Sequence, residues 1–357
     1  MSGSSLLGRD KREAIATIGS FDGVHRGHQC LLGQVRHIAD ERKLKAMAIT
    51  FGTSPKRVLG MTGTSQLTST EERTTRLRQQ GMDEVAMLDF TSQMAEMSAR
   101  DFMQQILKEQ LHVKVLVIGY DHRFGRGRSE GFDDYVRYGK EIGIEVVRGE
   151  ACTDGGEPIS STRIRNLLTE GNVNEATRLL GYPYTLHGKV ISGYREGRKM
   201  GFPTANIHVN DTDKLTPADG VYAVYVNVCW TTDNRQQTTD NSQFTIDEDF
   251  ASGRQVRSSE HDVSSLTITP RMQPKLSEAN SRFKGMLNIG YRPTLNNGRE
   301  RSIEVHILDF EGDLYGKTIM VEFVHRLREE RTFASLEELT EQLQKDKKRV
   351  VELLTEE

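Results

Sequence analysis

"AIATIGSFDGVHRGH", Ala14 to His28, decides how the first half of the chain is read. The apolar run Ala14–Ile18 stops at Gly19, and a loop with glycines at 19, 23 and 27 and histidines at 25 and 28 follows at once. A short apolar run bounded by glycine is the pattern of a buried strand. Beyond the loop, Leu31, Leu32, Val35 and Ile38 recur at helical spacing, so a helix is expected to begin near Gly27 with His28 in its first turn. Strand, glycine loop and helix N-terminus together make an anion site, because unpaired amides and the positive end of the helix dipole face the loop. The stretch matches neither G-x-x-x-x-G-K-[ST] nor G-x-G-x-x-G. If the loop handles phosphate, it does so with histidine and backbone amides, without a P-loop lysine; two histidines at this spacing, taken alone, are more often incidental.

Working outward, strand and helix signals alternate to about residue 180. "LKAMAITF", "DEVAMLDF", "VKVLVIGYD" and "IEVVRG" read as strands; "STEERTTRLRQQG", "SARDFMQQILKEQL" and "EGFDDYVRYGKEIG" read as helices, the second opening with Ser98 and Asp101 in capping-box spacing. Such alternation predicts a parallel sheet covered on both faces, with ligands at the carboxyl ends of its strands. "GSFDGVHRGH" and "GYDHRFGRGRS" (119–129) both lie at such ends. In "ISSTRIRNLL" (159–168), Ser160, Ser161 and Thr162 stand at a helix start, with Arg163 and Arg165 in the first turn. An ordinary Ser/Thr cap accounts for the hydroxyls. The arginines oppose the helix dipole, and a nearby anion would explain them.

Near Gly181 the pattern changes. "LHGKVISG", "GVYAVYVNV", "FKGMLNIG", "SIEVHILDF" and "TIMVEFVHRL" are short strands between glycine-rich turns, the signature of a small antiparallel barrel or sandwich, and "SLEELTEQLQKDKKRVVELL" closes the chain as an amphipathic helix. Residues 231–281 are polar and poor in aromatics, and are expected to form a largely disordered insertion. The domain division expected is 1–182 and 183–357.

Composition excludes some classes of function. The net charge of −3 gives no general electrostatic footprint for nucleic acid or membrane. The three cysteines, Cys30, Cys152 and Cys229, are far apart and form no C-x-x-C, which argues against a disulfide framework or zinc site and for a reducing compartment. "MSGSSLLGRDKREA" (1–14) has no apolar core of signal-peptide length, and no stretch approaches a membrane span, so a cytoplasmic protein is expected. No protein partner is implied.

A second dense stretch is "GYREGRKMGFPTANI" (193–207). Gly193, Gly197 and Gly201 allow close backbone approach to phosphates, Arg198 and Lys199 add positive charge, and Thr204 and Asn206 offer oxygen ligands suited to Mg²⁺. A glycine-rich turn with polar residues is the equally good bland reading. In "SIEVHILDF", Ile303, Val305 and Ile307 share one strand face and Glu304 and His306 the other, so Glu304 is either a candidate base or a solvated strand residue.

"GSFDGVHRGH" with "ISSTRIR" resembles the nucleotidyltransferase superfamily with the H-x-G-H signature. "LTSTEERTTRLRQQGMDEV" and "VIGYDHRFGRGR" resemble the FAD synthetase half of the bacterial bifunctional riboflavin kinase/FAD synthetase family, and "GFPTAN", "NIGYRPT", "EVHILDFEGDLYGK" and "LREERTF" resemble its riboflavin kinase half. The resemblance implies a Rossmann-like α/β nucleotidyltransferase domain followed by a β-barrel kinase domain with a C-terminal helix. It implies riboflavin, FMN and ATP as substrates. His25 and His28 would contact ATP phosphates, and Ser161, Thr162 and Arg165 would hold the triphosphate. In the kinase half, Gly197, Thr204 and Asn206 would bind Mg²⁺-ATP, Glu304 would activate the riboflavin 5′-hydroxyl, and Arg328 would close near the flavin. One departure stands out. After Thr50-Phe51 the family usually has an acidic residue and a P-H-P-like triplet, but this chain has Gly52, Thr53, Ser54 and Pro55. A kinase with an impaired adenylyltransferase, or a flavin-binding regulator without turnover, are the rival readings.

Overall fold

The computed structural model describes residues 13–53, 58, 60, 65–120, 122–193, 201–228, 266–270, 282–293 and 299–355. Gly197, Arg198 and Lys199 lie outside the described residues, as do Ser54, Pro55, Cys229 and most of 231–281. The chain forms two compact units. The first takes its described residues from 1–64, 68–159 and 242–273, the second from 65–67, 160–241 and 274–357.

The first unit is built on five parallel strands: β1 (Ala14–Ile18), β2 (Lys45–Phe51), β3 (Glu84–Leu88), β4 (Val113–Ile118) and β5 (Glu145–Arg148), in the order β3-β2-β1-β4-β5. All of β1 is buried, as a central parallel strand with both faces covered must be. Its alternate side chains feed two cores. Ile15 packs with Leu32, Val35 and Ala39 of α1 (Arg26–Arg42). Ala16 and Ile18 pack on the opposite side, with Phe102, Ile106 and Tyr135. Each fully buried Leu or Val of α1 contributes roughly 1.5–3 kcal/mol.

The capping signals form as expected. Ser69 caps α2 (Thr70–Gln79), with Glu72 completing the box. A short helix, α3 (Ser92–Glu96), precedes α4 (Ala99–Phe102), whose cap is Ser98. Beyond Phe102 the expected α-helix continues as a π-helical stretch, Met103–Gln110. α5 (Phe132–Ile142) ends at Gly143 in the left-handed region, where glycine is at ease. A small hairpin, β6 (Thr153–Asp154) and β7 (Glu157–Pro158), follows β5.

The second unit opens with α6 (Ser161–Thr169) and α7 (Val173–Leu180). A closed antiparallel barrel follows, made of β8 (Tyr184–Ile191), β9 (Ala205–His208), β10 (Gly220–Val228), β12 (Arg282–Pro293), β13 (Arg299–Ile307) and β14 (Thr318–Arg328), in the order β10-β12-β13-β9-β8-β14. Every residue of β10 is buried. Val221, Ala223 and Tyr225 on one face of it pack with Val350 and Leu354, at the end of α8 (Leu336–Leu353) and just past it. The first leucine of that amphipathic pattern, Leu336, is left exposed.

One strand and one covalent link lie beyond what the sequence announced. β11 (Leu266–Pro270), inside the stretch expected to be disordered, pairs antiparallel with β3 and becomes the edge strand of the first unit's sheet. It covers backbone groups that β3 would otherwise present as an open edge. Against the expectation of no disulfide, Cys30 and Cys152, 122 positions apart, are joined, with Cα atoms 6.3 Å apart. The α/β winding returns the chain to the same region after β5, a proximity that sequence spacing does not reveal. Among the described residues no helix is long and apolar enough to cross a membrane.

Candidate active sites

Strand order reverses on either side of β1, since β2 and β4 flank it, and the loop after β1 emerges at this switch point, where open α/β sheets bind ligands. His25 is the N-cap of α1 and is 4% exposed; its Nδ1 accepts a long bond, 3.4 Å, from the His28 amide. The two imidazoles stack at 3.7 Å, and Phe21 meets His28 edge-on at 5.3 Å. Burial lowers the His28 pKa well below its ordinary value, and His25 and His122 push it further the same way. His28 is therefore a neutral hydrogen-bonding group at neutral pH. Phe21 and Val24 both adopt positive φ, 47° and 35°, a conformation that costs a β-branched residue energy and must be imposed by its surroundings.

What imposes it was missed in the sequence. Asp22, 6% exposed, accepts from the Thr68 amide (3.1 Å) and hydroxyl (3.3 Å), and the Thr68 Oγ1 accepts from the Gly23 amide (3.0 Å). Arg73, buried beside this lock, donates to the Phe51 carbonyl at 2.6 Å. Burial lowers its pKa, an effect that Asp22 and Glu71 oppose. "LTSTEER" carried a visible capping signal, but nothing local showed that Thr68 would reach back to Asp22. At the end of β2, Asp89 Oδ1 stands 3.0 Å from where a Cβ on Gly52 would lie. A carboxylate from beyond β3 thus occupies the neighbourhood of the missing acidic residue.

Ser161, Thr162 and Arg165 belong to the second unit. Ser160 caps α6 by accepting from the Arg163 amide, which leaves Ser161 and Thr162 at the first two helical positions. Arg163 lies 3.8 Å from Glu175 of α7, and Arg165 Nε donates to the Ser65 carbonyl at 2.8 Å. Protein groups thus partner both arginines that the sequence left in search of an anion.

In the barrel, the strand register brings Asn206 of β9 opposite Glu304 of β13. Thr204 Oγ1 donates to Glu304 Oε2 at 3.2 Å, so three of the predicted kinase residues converge. A Cβ on Gly193 would displace the side-chain amide of Asn206. His306, on the same strand, is buried instead of solvated. Its Nδ1 lies 2.8 Å from the Pro203 carbonyl and its ring meets Phe202 edge-on, which pins "GFPT" against the barrel. Arg328 is engaged by Asp346 of α8, with Nε to Oδ2 at 2.9 Å. It ties the end of β14 to the helix. Beyond it, Glu330 reaches over β12, so close to Gly290 that a Cβ there would displace its carboxylate. The described residues include no cluster of three or more His, Cys, Asp or Glu placed to hold a metal. The Thr204 hydroxyl, Asn206 amide and Glu304 carboxylate are hard oxygen donors, which fit a cation that keeps most of its waters.

The described residues thus hold two separate candidate sites, a histidine loop at the switch point of a parallel sheet and a Thr/Asn/Glu cluster on a closed barrel. Residues 8–163 match the FAD synthetase family model and residues 180–354 the riboflavin kinase model. The chain is 32% identical over 333 residues to the bifunctional riboflavin kinase/FMN adenylyltransferase of Escherichia coli K12, covering 93% of this chain and 90% of that one. It is 31% identical over 353 residues to the protein of the same name from Bacillus subtilis, covering 97% and 94%. The crystal structure of a Streptococcus pneumoniae protein named as a macrolide-efflux protein superposes with a TM-score of 0.75 at 30% identity, covering 96% of this chain and 94% of that one. The chain belongs to the bifunctional riboflavin kinase/FMN adenylyltransferase family.

Proposed function

We propose that the two activities of this family run on two separate constellations of this chain. The barrel phosphorylates riboflavin with ATP to give FMN. The sheet domain then transfers AMP from a second ATP to FMN, giving FAD and pyrophosphate. The observation that carries the reading is the convergence of Thr204, Asn206 and Glu304 from strands about a hundred residues apart.

In the kinase site, Glu304 accepts the proton of the riboflavin 5′-hydroxyl as that oxygen attacks the γ-phosphorus. Thr204 orients the carboxylate by donating to one of its oxygens. Thr204 and Asn206 would hold Mg²⁺, which supplies charge neutralisation on the ATP phosphates when bound. Gly197 would let the backbone approach those phosphates, and Arg328 supports the flavin side by fixing the segment that follows it.

In the adenylyltransferase site no hydroxyl must be deprotonated, because the FMN phosphate is already ionised and attacks the α-phosphorus directly. His25 and His28, with the free amides of α1, donate to phosphate oxygens as charge shifts to pyrophosphate. Both reactions are assigned to the cytoplasm. The Gly52 departure favours the narrower reading of a kinase with weakened adenylyl transfer, while the Asp89 carboxylate beside Gly52 argues for retention.

Incubation with riboflavin and Mg-ATP, followed by separation of flavins, decides among the readings. FMN and FAD together are expected. FMN alone would establish the narrower reading, and neither product would leave a flavin-binding regulator.

A further inference from the structure

Cys30 lies on α1, two residues past His28, and Cys152 lies between β5 and the β6–β7 hairpin. The segment after β5 runs back along the first turns of that helix. Gly149 sits so close to Leu31 that a Cβ would collide with it. Gln34 holds Glu150 by two bonds, from its Nε2 to the Glu150 carbonyl (3.2 Å) and from the Glu150 amide to its Oε1 (2.9 Å). Cys152 meets Cys30, with a Cα separation inside the range that a disulfide spans. At the far side of the hairpin, the Ile159 carbonyl stands 3.3 Å from where a Cβ on Gly27 would lie. The hairpin is thus seated along α1 by packing and hydrogen bonds, and the sulfurs meet on a contact that other residues already make. Both cysteines are half-buried, within reach of a small reagent.

We propose that Cys30 and Cys152 are a reversible redox-modification site that takes a low-molecular-weight disulfide of the glutathione class and, once oxidised, staples the first unit. One protein thiolate attacks the small disulfide, forming a mixed disulfide and expelling one small thiolate. The second protein thiolate attacks the protein sulfur of that mixed disulfide and expels the other. Two protein thiols are oxidised, the small disulfide is reduced to two thiols, and the protons pass to the departing thiolates. A dithiol reductant reverses the exchange. The bond closes a loop of 122 residues of separation. It restricts the unfolded chain of the first unit and leaves the barrel strands outside the loop.

The test compares reduced wild-type protein with the same protein after oxidised glutathione. Thiols counted under denaturing conditions should fall from three to one, and peptide mapping should link Cys30 to Cys152. Heat midpoints are then read separately for FAD formation from supplied FMN and for riboflavin phosphorylation. This second arm rests on the assignment of FAD formation to the first unit; the thiol count does not. Oxidation should raise the FAD-forming midpoint by about 5 °C or more and leave the kinase midpoint unmoved. Cys30→Ser should lose both the link and the shift, and Cys152→Ser serves equally if the first variant folds poorly. Three thiols surviving the oxidant, a link to Cys229, or equal FAD-forming midpoints in the two redox states would each overturn the proposal.

Discussion

The two candidate sites are built in opposite ways. In the sheet domain the chemistry is nearly contiguous: loop, cap and first helical turn all lie between Gly19 and His28, and Thr68 is the distant brace. In the barrel nothing is contiguous. Thr204 and Glu304 meet across a hundred positions because β9 and β13 are neighbours in a closed sheet. The first design places backbone amides and two stacked imidazoles at a helix end, which suits a reaction that only moves charge between phosphates. The second places a carboxylate beside hydroxyl and amide oxygens, which suits a reaction that must also remove a proton from an alcohol.

The largest effect that could break this contrast is at Glu304. Glu304→Gln keeps the size and the Thr204 contact but cannot take the proton, so riboflavin phosphorylation should fall by about 10²–10⁴ while FAD formation from supplied FMN persists. Equal loss of both activities would point to one shared site. Next, His28→Ala should lower FAD formation by about 10²–10³ and spare FMN formation; parental FAD rates would remove the histidine loop from the chemistry. Asp22→Ala sharpens the contrast at the level of the scaffold. It leaves the buried Thr68 amide and hydroxyl without their acceptor, at a cost of about 1–3 kcal/mol. The unfolding midpoint of the first unit should drop, FAD formation should fall with it, and the kinase should keep its rate.

The smallest effect is in pH. His28 and His306 are both held below the ordinary value of 6.5, mainly by burial. As pH falls through that value, the unfolded chain takes up protons at these positions that the folded protein resists. Stability therefore rises with pH across the window just below 6.5 and is lost as pH drops. His28 faces the like charges of His25 and His122. His306 faces Lys347, but also the Pro203 carbonyl and Asp309, which favour its protonation. The first unit should thus lose more stability than the second between pH 6.5 and 5.5, and His28→Asn should flatten its profile. Unfolding followed by the loss of each activity at several pH values measures both slopes.

How much could be read in advance follows from the same contrast. The helix starts at Ser69, Ser98 and Ser160 and the stop at Gly143 were legible, because caps and turns are decided within a few residues. β11 was not: "LTITP" has the alternation of a strand, but it is five residues in a polar stretch, and its partner lies about 180 positions earlier. Composition over a long window registers the stretch and hides the strand. Alternation places His306 on the same strand face as Glu304, yet it is buried. The chain at Phe202 and Pro203 covers that face, and no local pattern announces such a cover.

By itself the sequence determined the strand–loop–helix unit around His25 and His28, the change from alternating α/β to antiparallel β near residue 181, and the residue types that each chemistry needs. These depend on hydrophobic period, capping and turn chemistry, interactions that reach only a few positions along the chain. Only the tertiary structure decided that Asp22 and Thr68 lock the loop, that Asn206 faces Glu304, that Asp346 engages Arg328, and that Cys30 meets Cys152. Those contacts arise from sheet order, register and winding, which are set by how the whole chain buries its apolar surface, and a pair of polar residues distant in sequence carries no local trace of having been brought together.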